Sequence, residues 1–129
     1  MNQVRMRLHA GEHAIDAHVA RTRAQRARGL MHCTELGPNE GMLFICDDCA
    51  VQSFWMKDTP LPLSIAFLEE DGTIVHIGDM EPHSLDSHAC PQPVRHILEM
   101  RRGWFAERGI GPGNRIEGPA FVANYLSAE

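Results

Sequence analysis

Leu63-Ser64-Ile65-Ala66-Phe67-Leu68-Glu69, followed by Glu70-Asp71-Gly72 and then Thr73-Ile74-Val75-His76-Ile77, is the stretch whose reading decides the fold. Two β-rich runs flank a polar turn containing glycine, which is the arrangement of a β-hairpin. Upstream, Gly41–Cys46 is a continuous apolar run of strand length, and Gln52–Lys57 is a further candidate strand closed by Pro60 and Pro62. Downstream, Arg95–Met100 forms a strand centred on Ile97 and Leu98, and Gly111-Pro112-Gly113-Asn114 turns the chain into a last strand near Arg115–Glu117. At the front, Val4, Met6 and Leu8 alternate with Arg5, Arg7 and His9, and Gly11-Glu12 leads into a second strand over His13–Ala20.

Two short helices complete the reading. Thr22 stands three residues before Gln25, a capping-box spacing that opens a helix from about Thr22 to Met31, with Gly29 near its end. Gly103–Arg108 gives a helical turn or two, stopped by Gly109. Asp79 to Pro93 is polar and reads as a loop. The expectation is a single domain over residues 1–129, mainly β: a β-sandwich or partly closed barrel of about seven or eight short strands with two short helices.

The chain has 129 residues, 12 basic against 17 acidic groups, and a net charge of −5. That balance gives no generic reason to bind nucleic acid or an anionic membrane, and no apolar run is long enough for a transmembrane helix. The basic groups are eleven Arg and a single Lys, Lys57, and six of the Arg fall within residues 1–33. Arg21, Arg23, Arg26 and Arg28 are spread around the first helix and read as a solvated face. Charged and His residues interrupt every apolar stretch near the start, so the expected location is cytoplasmic, with Cys33, Cys46, Cys49 and Cys90 as reduced thiols.

Four segments taken together carry a resemblance. They are Arg28-Gly29-Leu30-Met31, Gly41-Met42-Leu43-Phe44, Phe54-Trp55-Met56-Lys57-Asp58-Thr59 with Pro62-Leu63-Ser64-Ile65-Ala66-Phe67, and Leu98-Glu99 with Gly103 and Gly109-Ile110. Over about residues 3–118 the chain resembles the bacterial and archaeal family called domain of unknown function 192. The resemblance implies a β-rich sandwich or barrel and no established reaction. It also marks departures: Asp58 stands where the family motif usually has Asn, and His32-Cys33 follows where a basic residue is common. The strand after Gly-Met-Leu-Phe ends at Cys46 rather than at an aromatic, and many relatives are exported behind a signal peptide that is not recognisable here.

Three groups of residues have chemistry to offer. Phe54–Thr59 combines aromatic bodies with the lone ammonium, and an aromatic wall beside convergent polar groups is the usual make-up of a small-ligand pocket. The expected ligand-binding residues are Trp55, Lys57, Asp58, Thr59 and Asp79. The 79–90 loop holds carboxylate, imidazole and thiol groups, so His83, His88 and Cys90, with Asp86 and the pair Cys46 and Cys49, form the alternative: a site for zinc or a similar divalent metal. No cofactor is required by the leading reading, and the partner it implies is an unidentified small molecule. An enzyme ranks last, resting on the acid/base-capable Asp58, Asp79, His88 and Glu99; no catalytic residue is assigned. A homo-oligomer formed through an exposed β edge stays open.

Overall fold

The computed structural model describes residues 4–122. The expected hairpin is β5 (Leu63–Leu68) and β6 (Ile74–Met80), antiparallel from Leu63 opposite Met80. Its turn is tied by the Asp71 carboxylate, which accepts from the Thr73 N–H at 2.9 Å. The remaining strands are β1 (Arg5–Ala10), β2 (His13–Ala20), β3 (Glu40–Ala50), β4 (Ser53–Phe54), β7 (His88–Ala89), β8 (Val94–Arg101) and β9 (Ile116–Glu117). The helices are α1 (Arg23–Arg28) and α2 (Trp104–Glu107), and a short 3-10 turn, absent from the sequence reading, covers Pro119–Phe121.

Seven strands form one sheet in the order β6-β5-β8-β3-β2-β1-β9. The sheet curls until its two ends meet: the Ile74 N–H donates to the Asn114 carbonyl, and the Ile116 N–H donates to the Gly72 carbonyl, both at 2.8 Å. Gly72 sits at φ +91°, and a Cβ there would fall 2.0 Å from the Ile116 carbonyl oxygen, so only glycine permits this contact. Of the two architectures expected, the partly closed barrel is the one formed. β2 and β3 are parallel, from Asp16 opposite Glu40 to Ala20 opposite Phe44. A parallel pair needs a crossover connection, and α1 lies within it.

The sheet has two buried faces. Inside the curl, Leu8, Ile15, Leu43, Leu68, Leu98 and Met100 pack with Trp104 and Phe105 of α2 and with Ile116. On the outer face, Met42, Phe44, Leu63, Ile65, Phe67 and Ile97 pack under Leu30, Met56, Met80 and Cys90. The central strands β3, β5 and β8 are therefore covered on both sides, which is why Gly41–Cys46 reads as an unbroken apolar run rather than an alternation. α1 has no buried residue of its own; the capping box of Thr22 and Gln25 sets its start, and Leu30 just beyond it is the anchor.

Three expectations change. Gln52–Lys57 yields only the two residues of β4, because the chain turns at once, the Thr59 N–H donating to the Met56 carbonyl at 3.0 Å. The 79–93 segment is less irregular than expected: Asp79 belongs to β6, and β7 pairs with β4 as a two-stranded ribbon, Phe54 opposite His88. Nine strands stand among the described residues, the extra one being the two-residue β7, too short to show a period.

A candidate ligand pocket on the outer face

Between the outer face of the sheet, α1 and residues 52–59 lies a cavity of about 290 Å³. Phe44 and Cys46 of β3 and Glu99 of β8 line it from the sheet; Phe54, Trp55, Met56 and Thr59 line it from the covering segment; Arg23, Arg26, Arg28 and Leu30 line it from the helix side. Edge-to-face aromatics prop the covering segment above the sheet: Phe44 and Phe54 have centroids 5.0 Å apart, and Phe54 and Phe67 are 6.4 Å apart. Hydrogen bonds fix its far end. The Met56 N–H donates to the Ser84 carbonyl, the His83 N–H to the Thr59 carbonyl, and the His32 N–H to the Asp58 carbonyl. His32, Asp58 and His83 all have φ between 55° and 64°, and no other described residue except glycine has positive φ. Left-handed backbone outside glycine is uncommon, and here it is confined to the frame of one cavity.

Glu99 is the feature that sets this cavity apart. It is 4% exposed and lies opposite Met42 on β3 and Ile65 on β5, both buried. Among the described residues its carboxyl has no hydrogen bond and no ion pair, and burial alone pushes its pKa up to about 8. That burial favours the carboxylic acid form, which can donate and accept a hydrogen bond. The guanidinium groups differ from one another. Arg26 is held by the Arg21 carbonyl and by Asp47 at 3.4 Å, whereas Arg23 and Arg28 are exposed and have no ion-pair partner among the described residues. Burial raises the pKa of the Cys46 thiol, with Arg26 acting in the opposite sense.

The model of the DUF192 family, described as uncharacterized ACR, matches residues 5–118. The chain belongs to the DUF192 family. It is also similar to two solved structures. One, from Sinorhizobium meliloti 1021 and described as "a putative transcription regulator", is 32% identical with a TM-score of 0.89, over 93% of this chain and 98% of that one. The other, a protein of unknown function from Novosphingobium aromaticivorans DSM 12444, is 34% identical with a TM-score of 0.81, over 89% of this chain and 84% of that one. No curated protein matches the sequence. No helix among the described residues is long and apolar enough to cross a membrane.

The Phe-Trp-Met-Lys segment that carries the DUF192 resemblance is thus the wall of the cavity. Of the residues expected to bind ligand, Trp55 (49% exposed) and Thr59 (buried) line it. Lys57 points outward and lies over the Trp55 ring, its Nζ 5.4 Å from the centroid. Asp58 is the exposed left-handed residue of the turn. Asp tolerates that left-handed conformation better than most residues do. Asp79 is remote from the lining: it accepts from the Ser64 hydroxyl at 2.9 Å, and Ser64 Oγ accepts from the Gly103 N–H at 3.0 Å, joining β6, β5 and the start of α2.

The metal candidates are not brought together. His83 is exposed, His88 sits in the ribbon with Nε2 buried and unpartnered, and Cys90 is buried in the outer core. Cys46 is buried while Cys49 is exposed, at the two ends of an irregular stretch of β3, and all four cysteines are free. Among the described residues no three His, Cys, Asp or Glu side chains share a position from which to hold one ion. The helix Arg residues do lie on an exposed face, as the sequence reading expects, and also line the cavity; Glu99 is the lining residue that the sequence reading does not place there. The available sign for Glu99 was a lone carboxylate inside a strand whose neighbours are apolar on both sides.

Proposed function

We propose that this DUF192 protein is a small-ligand-binding module, with the ligand seated between α1, the 52–59 segment and the outer face of the sheet. The observation that carries the reading is a preformed cavity with aromatic walls and one buried, unpartnered carboxyl at its base. Ligand sites are mostly apolar with few polar groups, and a buried polar group without a partner is costly unless something completes it. In this reading Trp55 and Thr59 touch the ligand, Lys57 braces Trp55 from outside, Asp58 sets the turn beside the cavity, and Asp79 takes no part in it. A reducing cytoplasmic setting suits the four free thiols. Direct nucleic-acid binding is disfavoured by the net charge of −5.

Thermal-shift screening with a library of small organic acids, amines and neutral compounds tests this. A ligand of the cavity raises the melting temperature of the wild type and of Lys57→Ala, and raises that of Trp55→Ala much less. A ligand that stabilises all three proteins equally places binding elsewhere.

A further inference from the structure

The chemistry of the lining is polarised. At the mouth, Arg23 and Arg28 carry exposed guanidinium groups without ion-pair partners among the described residues; at the base, Glu99 is enclosed by the side chains beside it on β3 and β5. The charged or titratable groups facing Glu99 across the cavity are Arg23, Arg26 and Arg28 from α1 and Cys46 from β3; residues 52–59 contribute none to the lining, and β5 presents Ile65. No acid other than Glu99 lines the cavity. An anion is therefore attracted at the mouth, while a cation is repelled there. A carboxyl held among apolar groups with no cation beside it avoids the charged form and offers its O–H.

We propose that the cavity takes a small organic anion with an apolar body, whose anionic group meets Arg23 and Arg28 at the mouth and whose far end carries a carbonyl oxygen that accepts a hydrogen bond from the Glu99 carboxylic acid. The aromatic edges of Phe44 and Phe54 lie along the body between these two ends. This deepens the ligand-binding reading and rests on it. It assigns the specificity to Glu99: an apolar tip of the same shape leaves the buried O–H unpaired, whereas an acceptor completes it.

Three probes decide the matter by isothermal titration calorimetry: p-acetylphenylacetate, its apolar isostere p-isopropylphenylacetate, and the cation phenethylamine. The expected order at pH 7 places the acetyl anion first, ahead of the isopropyl anion by roughly three- to tenfold, the worth of one buried hydrogen bond, with the cation last. Glu99→Gln keeps the acetyl preference, because its amide also donates, and Glu99→Leu abolishes it. In the wild type the preference falls as pH rises past about 8, where the carboxyl loses its proton, and in Glu99→Gln it does not. Arg23→Ala combined with Arg28→Ala weakens both anions and leaves the cation unaffected or tighter. Tightest binding of phenethylamine, lost in Glu99→Gln, overturns the inference while leaving a ligand pocket in place. Binding of none of the three overturns it as well, and the library screen with Trp55→Ala then judges the pocket independently.

Discussion

The two faces of one sheet are built to different standards. The inner face is filled by large side chains that close on one another, with Trp104 and Phe105 in edge-to-face contact at 5.2 Å and Trp104 Nε1 donating to Asn39 at 3.1 Å. The outer face is covered by a helix with no buried residue, a two-stranded ribbon and a segment held by three left-handed residues, and it encloses unfilled volume. Strand β8 carries the contrast within four residues. His96 faces inward beside Phe121, ring centroids 5.1 Å apart, and Glu99 faces outward into the cavity. Burial holds the His96 pKa down and the Glu99 pKa up, so each is favoured in its neutral form. The inner face carries the stability of the barrel, and the outer face spends some of it on an opening.

That division can be broken by measurement, beginning with the largest effect. Trp104→Ala, on the inner face, is expected to cost about 3–5 kcal/mol in urea denaturation, against about 1–2 kcal/mol for the half-buried Phe54→Ala on the outer face. Equal costs would dissolve the distinction. Next comes Glu99. The folded carboxyl keeps its proton to about pH 8, while an unfolded glutamate releases it near 4.5. The unfolded chain thus sheds its proton first, and stability falls as pH rises from about 4.5 to about 8. By pH 7 the loss is on the order of 3 kcal/mol, and Glu99→Gln removes it, flattening the profile over that window. A wild type and variant with parallel profiles would show that the carboxyl is solvated.

Smaller effects sharpen the account of the outer layer. Thr22→Ala deletes the cap bond to the Gln25 N–H, 3.1 Å in the native chain, and is expected to cost about 1 kcal/mol. Faster amide exchange confined to α1 and its neighbours would identify the helix as the weakly held wall. Lys57→Ala removes an exposed cation over the Trp55 ring and should change stability by less than about 1 kcal/mol. A larger loss on chemical denaturation would mean that Lys57 has a structural part beyond bracing that ring.

Legibility in the sequence followed the same boundary. The β5–β6 hairpin, the Thr22–Gln25 capping box and the doubly buried run at Gly41–Cys46 each leave a local signature, because turn chemistry, cap spacing and apolar continuity are properties of neighbouring residues. The β4–β7 ribbon leaves none: two residues show no period, and their pairing joins positions far apart in the chain. Glu99 was visible as an acid beside Ile97 and Leu98, but a strand buried on both faces does not reveal which face an odd residue joins. The Trp55–Thr59 motif lies along one wall of the cavity, whereas the left-handed Asp58 within it leaves no sign in composition.

The parallel pairing of β2 with β3 has a consequence for the order in which the molecule assembles. The connection between those strands is the segment that carries α1, so the chain cannot lay β3 beside β2 without drawing the helix across the outer face. One wall of the cavity is therefore put up as a by-product of that strand pairing. The base comes with β8, whose pairing with β3 spans the β5–β6 hairpin, and the pairing most distant in sequence is that of β1 with β9, His9 opposite Glu117. A growing chain thus acquires the helix wall before the carboxyl that it faces, and the pocket becomes whole only when the sheet does.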